Sequence, residues 1–155
     1  MTTNTTNTIE KHVDLKAPAS RVWRAITDSG EFGTWFQVKF DAPFVAGKAI
    51  KGNFTVPNYE HIVGEFFVDR IDQPAGVFAF RWHPFAIDPS VDYSAEPLTT
   101  VTFALTETAA GSHLHITETG FDSIPAERRA KAFAMNEAGW TMQAKQIADY
   151  LARVS

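Results

Sequence analysis

The chain has 155 residues, a formal net charge of −4 and no cysteine. This is the length of one ordinary domain, and the hydrophobic fraction of 45% excludes a largely disordered chain. Without cysteine the chain has no disulfide and no thiol nucleophile, and without a basic cluster it lacks the charge pattern of a nucleic-acid-binding protein. No apolar run approaches the roughly 20 residues of a membrane span, so we expect a cytoplasmic protein.

The first eight residues differ in composition from the rest of the chain. Residues 1–8 are rich in Thr and Asn and lack the apolar core of a signal peptide, which predicts a flexible tail. Residues 9–155 are then expected to form a single domain. Within it, Ile9–Lys16 alternates apolar and polar side chains and predicts the first strand.

Two short helical segments are predicted after this strand. Pro18 is placed to open the first helix, because a missing N–H costs nothing in the first turn. The apolar stripe of that helix consists of Val22, Trp23 and Ile26. Gly30 and Gly33 are expected to interrupt a second helical turn, which delivers Trp35 and Phe36 to the core.

The apolar period then changes to two, as in strands. Ile50, Phe54 and Val56 share one parity before a turn at Pro57–Asn58. The segment His61–Asp72 carries apolar residues on both faces, which predicts a β-bulge of unknown register. In the next strand the residues of one face are Phe78, Phe80 and Trp82.

A long loop and a hairpin follow. His83–Pro97 holds three prolines and is predicted to cross one mouth of the sheet. A β-hairpin is predicted around the turn at residues 109–112. One face of its first strand carries Val101, Phe103 and Leu105, and one face of its second strand carries Leu114, Ile116 and Glu118.

A long C-terminal helix is predicted from the segment Ser123–Pro125 to about Ala152. Ser123 is a capping type, and Glu127 places negative charge near the positive end of the helix dipole. One helical stripe carries polar residues at its middle and apolar residues at its ends: Phe133, Asn136, Trp140, Gln143, Ile147 and Leu151.

Several segments together resemble the activator-of-heat-shock-protein-90-ATPase-like family. The segments are Pro18–Asp28 with Trp35-Phe36, the Phe-Arg-Trp-His-Pro stretch ending at Pro84, the run Glu118–Phe121, and Asn136–Trp140. This family is part of the START-related (SRPBCC), birch-pollen-allergen-like superfamily. The resemblance covers the chain from about Ile9 to Leu151.

The resemblance implies an α+β helix-grip fold. In that fold a curved antiparallel sheet, here of about six to seven strands with two short helices after the first, wraps a long C-terminal helix and leaves a cavity. Superfamily members include lipid carriers, hormone receptors, polyketide cyclases and chaperone co-factors, so the fold does not fix the function. The chaperone co-factor that names the family has a further N-terminal domain, which a chain of this length has no room for.

His113 and His115 are the best candidates for metal ligands. They are two residues apart on one strand and share the side opposite Glu118, so together they could supply two of the ligands of a metal site. Exposed strand histidines beside a turn are the commoner explanation, and no third ligand is evident from the sequence. We therefore predict no metal site and, without any glycine-rich phosphate loop, no nucleotide cofactor.

Glu118 is the most suggestive polar residue. Its parity with Leu114 and Ile116 directs it inward, where an unpaired carboxylate would raise its pKa or acquire a partner. Asn136 and Gln143 could donate to it, and Arg81 or His61 could pair with it. The alternative is that Glu118 reaches solvent at the strand end and only holds the helix N-terminus.

The leading functional hypothesis is a binding protein for a small apolar or aromatic molecule. With an aromatic fraction of 13%, the chain can both fill a core and line such a pocket. A cyclase- or aromatase-type enzyme using Glu118 or His61 is the first alternative, and a chaperone co-factor-like interaction module is the second. A homodimer is left open. The predicted ligand-binding residues are Trp35, Phe36, Phe54, Phe66, Phe80, Trp82, Phe103, Glu118, Phe133, Asn136, Trp140 and Gln143.

Overall fold

The computed structural model describes residues 7–88 and 90–154. Residues 1–6, most of the predicted tail, lie outside the described residues, and Thr8 already belongs to the first strand. The elements in chain order are β1 (Thr8–Leu15), α1 (Ala19–Thr27), α2 (Ser29–Phe36), β2 (Val38–Phe40), β3 (Ala49–Phe54), β4 (Val63–Asp72), β5 (Val77–Trp82), β6 (Thr99–Thr108), β7 (Gly111–Thr119), a 3-10 turn (Phe121–Ser123) and α3 (Ala126–Val154).

The seven strands form one antiparallel sheet in the order β1-β7-β6-β5-β4-β3-β2. Each strand from β2 to β7 pairs with its neighbour in sequence, while β1 returns to pair with β7 across the whole chain. The long helix α3 and the pair α1–α2 pack on the same face of the sheet. The predicted α+β helix-grip fold is confirmed.

Local contacts explain the start of α1 and the presence of a glycine inside α2. Pro18 is the N-cap of α1 rather than its first residue, and its carbonyl accepts from the amides of Arg21 and Val22. Gly33 lies inside α2 instead of interrupting it. A Cβ there would stand 2.1 Å from the carbonyl oxygen of Val38, so a glycine is needed for β2 to approach the helix.

The predicted bulge in the fourth strand is present. The pairing of β4 with β5 shifts between Val68 and Arg70, so Asp69 is the extra residue. Its carboxylate accepts from the Arg81 Nε at 2.9 Å on the outer face of the sheet. The extra residue changes the parity of the strand, so Ile71 packs against the core although Phe66 and Val68 have the opposite parity. Val63 and Phe67 precede the bulge, which does not account for them.

Aromatic side chains dominate the space between the sheet and the helices. Five phenylalanines are fully buried: Phe32, Phe66, Phe78, Phe80 and Phe103. The Phe32 ring contacts each of the other four edge to face. Such ring pairs contribute about 0.5–1.5 kcal/mol beyond the area they bury. This cluster fills one end of the space between the sheet and the helices, and a cavity occupies the other end.

The helix α3 turns one face toward the sheet along its whole length. The buried residues of this helix are Ala132, Trp140, Gln143, Ile147, Tyr150 and Leu151. Among the residues that the structure describes, no helix is both long enough and apolar enough to cross a membrane.

A charged cluster fixes α3 to the first two helices. Glu31 of α2 binds Arg21 at 2.8 Å and Arg24 at 2.7 Å, and accepts from the Tyr150 hydroxyl at 2.7 Å. Burial acts to raise the pKa of Glu31, but these three hydrogen bonds outweigh it and hold the pKa below 4.5. The three helices therefore share one partly buried carboxylate.

Candidate functional site

Glu118, near the end of β7, is fully buried and is surrounded by hydrogen-bond donors. Its Oε2 accepts from the Thr99 hydroxyl at 2.6 Å and from the Trp82 indole N–H at 2.7 Å. Its Oε1 accepts from the Trp140 indole N–H at 2.8 Å, and the Asn136 amide donates to both oxygens at 3.0 and 3.1 Å. The donors come from β5, β6 and α3, so one carboxyl ties the sheet to the long helix.

Burial raises the pKa of the Glu118 carboxyl above its ordinary value of 4.5. The hydrogen bonds from Thr99, Trp82, Trp140 and Asn136 act in the opposite direction, because they favour the charged form. All four donors are neutral groups. Among residues 7–88 and 90–154, Glu118 therefore has no cationic hydrogen-bond partner of the kind that usually accompanies a buried carboxylate.

A cavity of about 470 Å³ lies between the far end of the sheet, α3 and the loop after β5. Phe36, Trp82 and Trp140 form its inner wall, with ring centroids 5.8–6.0 Å apart. The further lining residues are Lys51, Phe54, Ile62, Val63, Gly64, Glu65, His83, Phe85, Ala86, Ile87, Tyr93, Ser94, Asn136, Gly139 and Gln143.

The carboxyl and the cavity share three side chains. Trp82, Asn136 and Trp140 line the cavity and donate to Glu118, which itself lies behind them. Each of the three is thereby held in one orientation. Glu118 acts on the cavity through the side chains that it positions.

Most of the chain matches the model of a known protein family. Residues 16–152 match the family described as "Activator of Hsp90 ATPase homolog 1-like protein" (AHSA1). The chain belongs to this family. No functionally curated protein matches the chain.

Solved structures with low sequence identity share the AHSA1-like fold. MLL2253 from Mesorhizobium loti has a TM-score of 0.74 at 22% identity, over 96% of this chain and 98% of that one. The Aha1 dimer from Colwellia psychrerythraea has a TM-score of 0.68 at 15% identity, over 92% and 93%. DynU16, from the dynemicin biosynthetic locus, has a TM-score of 0.72 at 23% identity over 94% of this chain; the chain spans about half of DynU16, 47%. These likenesses show the fold alone.

The structure divides the predicted ligand-binding residues of this AHSA1-like chain into two groups. The residues that line the cavity are Phe36, Phe54, Trp82, Asn136, Trp140 and Gln143. Trp35, Phe66, Phe80 and Phe103 belong instead to the packed core, and Phe133 packs on Phe121 beside it. The prediction placed them in the cavity because strand parity gives the inward face of a strand but not the depth at which the cavity ends.

The predicted partners of Glu118 also need correction. Asn136 does donate to it, whereas the Gln143 amide donates to the Phe36 carbonyl at 3.3 Å. Arg81 faces outward to Asp69, and His61 lies in an exposed turn. Glu118 does not reach solvent, so the alternative of an exposed strand-end carboxylate is wrong.

Sequence reasoning missed two parts of the cavity wall. One is the β3–β4 edge, where Lys51 pairs with Glu65 across the ladder at the cavity mouth. The other is the loop of residues 83–98, which supplies Phe85, Ile87 and Tyr93. Its composition predicted a loop over the mouth of the sheet, but irregular backbone has no periodicity from which inward side chains can be read.

Arg128, in the first turn of α3, holds this loop against the cavity. Its Nε and Nη2 donate to Glu96 at 2.8 and 2.6 Å, and its Nη1 donates to the Pro84 carbonyl at 2.9 Å. The guanidinium also stands 4.8 Å from the centre of the Tyr93 ring. One side chain therefore fixes both ends of the loop, and its planar fork is needed for that geometry.

We expect Arg128→Ala to free the loop without unfolding the domain. Amides of residues 85–88 and 90–96 should exchange with deuterium at least about tenfold faster, because the loop loses the contacts that hold it closed. Hydrogen-exchange mass spectrometry measures this, with amides of β6 and β7 as the internal reference. Arg129→Ala is the matched control, since the Arg129 Nε donates to the nearby Ile124 carbonyl. Unchanged loop exchange in Arg128→Ala would contradict the role given to Arg128.

Proposed function

We propose that this AHSA1-like chain binds a small apolar or aromatic molecule in the cavity between the sheet and α3. The proposal rests on one observation: the indole walls of the cavity are fixed from behind by a buried carboxyl. A buried indole N–H needs an acceptor in a core too, and Trp35 donates to the Ala25 carbonyl. Trp82 and Trp140 differ because one carboxyl holds both rings where they border the cavity. A preorganised aromatic wall, by contrast, reduces the entropy that is lost when a ligand binds.

The size and lining of the cavity support a ligand of this class. A volume of about 470 Å³ is within the roughly 300–1,000 Å³ of small-molecule sites. The ionisable residues among its described lining are Lys51, Glu65, His83 and Tyr93. An apolar body with one polar end would place rings against Trp82 and Trp140 and direct that end toward these groups.

Gly139 gives the helix α3 an open position at the cavity. A glycine inside a helix costs about 1 kcal/mol relative to alanine, so its presence needs a reason. Apart from its chain neighbours and the backbone of its own helix, no described atom lies within 4 Å of where a Cβ would stand, and the residue lines the cavity. Gly139 is therefore not required for close packing, and the space that it leaves belongs to the cavity.

We expect Gly139→Leu to weaken ligand binding at least about tenfold while the domain stays folded. The added side chain enters open space, and leucine favours the helix by up to about 1 kcal/mol over glycine. The measurement is a fluorescence titration with phenylnaphthylamine, an uncharged aromatic probe that becomes bright on leaving water. Urea unfolding of the same variant checks that its stability is at least that of the parent.

Ala138→Leu is the matched control, because residue 138 is the exposed neighbour on the same helix. It should bind the probe as the parent does. Equal binding by Gly139→Leu and the parent, or no saturable binding by the parent, would contradict the proposal. Mass spectrometry of freshly purified protein under native and denaturing conditions would identify any molecule that copurifies.

The cyclase- or aromatase-type alternative relied on Glu118 or His61 as acid or base. Among the described residues, neither belongs to the cavity lining: Glu118 lies behind the wall and His61 is in an exposed turn. A general acid or base needs hydrogen-bond reach to its substrate. The geometry therefore supports binding better than catalysis by these groups.

The Aha1 structure from Colwellia psychrerythraea is a dimer. A homodimer is therefore the first assembly that we propose to test for this chain, by light scattering. A cytoplasmic location and an interaction-module role remain proposals from the sequence and the family description.

A further inference from the structure

A group of histidines and carboxylates lies on the outer face of the sheet, on the side away from the cavity. His113 and His115 alternate along β7, and Glu10, His12 and Asp14 alternate along β1. Antiparallel pairing places His12 directly opposite His115 and Asp14 opposite His113. Five side chains able to bind metals therefore project from two adjacent strands.

Three of these side chains converge on one point. Glu10, His12 and His115 each offer a ligand atom, and the three atoms lie within 4.8 Å of one another. The His115 Nε2 is 3.0 Å from the Glu10 Oε2, and the rings of His12 and His115 stack at 4.2 Å between centroids. Ligand atoms around a tetrahedral zinc ion stand about 3.3 Å apart at Zn–N and Zn–O bonds near 2.0–2.2 Å. Because the two rings are stacked, their nitrogens do not yet point at a common ion, and binding requires the exposed His12 and Glu10 side chains to rotate.

We propose that Glu10, His12 and His115 form a binding site for a divalent first-row transition metal, of which Zn²⁺ is the probe of choice. Two imidazoles and one carboxylate are a ligand set that zinc accepts, and the solvent side of the sheet leaves the fourth position to water. The site is separate from the cavity, because inward and outward residues alternate along each strand.

The surrounding hydrogen bonds support this assignment. His113 lies between Asp14 and His12: its Nδ1 is 2.8 Å from the Asp14 Oδ1, and its Nε2 is 2.9 Å from the His12 Nδ1. A metal-binding histidine commonly has its other ring nitrogen fixed in this way, which sets the tautomer and the direction of the ligating nitrogen. With Nδ1 of His12 occupied, Nε2 is the nitrogen available to the metal.

Burial differs among the side chains of this group. His115 is 32% exposed and its neighbour His113 is 33% exposed, so the sheet partly holds these two rings, whereas the ligands Glu10 and His12 are exposed. Ligands already held in place lose less entropy on binding. The pairing of β1 with β7 forms only when the chain folds, so an unfolded chain does not offer the same site.

The test is isothermal titration of the full chain with Zn²⁺, in a buffer that does not bind zinc. We expect one equivalent to bind and the thermal midpoint to rise as zinc is added, because only the folded chain presents the site. His12→Ala and His115→Ala should each weaken binding at least about tenfold. His113→Ala should weaken it by about 10- to 100-fold through loss of orientation.

A spectroscopic readout distinguishes an ordered site from loose surface binding. With Co²⁺ in place of Zn²⁺, a tetrahedral site gives strong visible absorption, and the parent should show it while His12→Ala does not. His61→Ala is the matched control for a single exposed histidine and should change neither stoichiometry nor affinity. Circular dichroism verifies that each variant keeps its sheet. The absence of saturable Zn²⁺ binding, or binding that survives both His12→Ala and His115→Ala, would overturn the proposal.

Discussion

Replacing Glu118 with leucine is expected to lower the free energy of unfolding by about 3–5 kcal/mol near neutral pH. The substitution removes the acceptor for four donors, among which Thr99 and Trp140 are buried. A buried donor left without a partner costs about 1–3 kcal/mol, and the relief of one buried carboxyl offsets only part of that sum. Urea denaturation followed by tryptophan fluorescence measures the change.

Glu118→Gln should fall between the parent and Glu118→Leu, with a loss of about 1–3 kcal/mol. The amide keeps one acceptor oxygen but turns an NH2 group toward an indole N–H that needs an acceptor. Glu107→Gln, at an exposed position of the β6–β7 hairpin, is the control and should change stability by less than about 0.5 kcal/mol. If Glu118→Leu were as stable as the parent, the four hydrogen bonds to Glu118 would not be needed for the fold.

The pH dependence follows from the direction of the pKa shift. Burial raises the folded-state pKa of Glu118 above the ordinary 4.5, so the folded protein holds this proton more tightly than the unfolded chain does. The contribution of the Glu118 proton to the free energy of unfolding is then complete below pH 4.5, and it is lost as the pH rises through the folded-state pKa. The advantage of the parent over Glu118→Gln should therefore shrink as the pH rises above 4.5. An advantage that grows with pH would mean that the donors overcome burial.

Trp140→Ala is expected to destabilise the domain by about 3–5 kcal/mol, the usual cost of removing a large buried aromatic side chain. Although Trp140 lines the cavity, it is only 2% exposed, and its ring contacts Phe36, Trp82 and Phe103. Thermal and urea unfolding measure the loss. An unchanged melting temperature would show that the indole borders open space without supporting the core.

Trp140→Phe separates the packing role of the indole from its hydrogen bond. Phenylalanine keeps most of the apolar surface but cannot donate to the Glu118 Oε1, so we expect a loss of about 1–2 kcal/mol. A double-mutant cycle of Trp140→Phe with Glu118→Gln isolates their coupling, because residues in one hydrogen-bond network are not additive. A coupling energy near zero would contradict a shared network.

Comparing protein stability with probe binding distinguishes a residue that positions the cavity wall from one that only fills the core. If Glu118 mainly positions the wall, Glu118→Gln should bind the aromatic probe more weakly than its stability alone explains, because Trp82, Asn136 and Trp140 lose their fixed orientation. A side chain that contributes to the core but not to binding, such as Phe78, would destabilise the protein when truncated and leave the affinity of the folded fraction unchanged.

Patterns within single elements were predicted well, for a physical reason. Parity along a strand fixes which residues share a face, and so the inward set Leu114, Ile116 and Glu118 is correct. The same holds for the helical stripe that brings Asn136, Trp140 and Gln143 toward the sheet. The irregular apolar pattern before Asp72 indicated the bulge that the structure places at Asp69.

Relations between elements were not readable from the sequence. Trp82 and Thr99 donate to Glu118 from strands 36 and 19 residues earlier in the chain, and nothing local identifies them as its partners. For His113 and His115 no metal site was predicted, because no third ligand was evident near them in the sequence; Glu10 and His12, which lie beside them in the structure, are on β1 about 100 residues away. Only the pairing of β1 with β7 brings them together.

The sequence by itself determined the α+β helix-grip fold, the AHSA1-like family, the face that Glu118 shares with Leu114 and Ile116, and the aromatic character of the interior, whereas the structure decided that Glu118 is buried. Only the tertiary structure decided which aromatic residues fill the core and which line the cavity, which donors surround Glu118, and which side chains meet on the outer face of the sheet. Hydrophobic periodicity is a local property of each helix or strand, whereas the depth of a cavity and the register of distant strands depend on how all the elements pack at once.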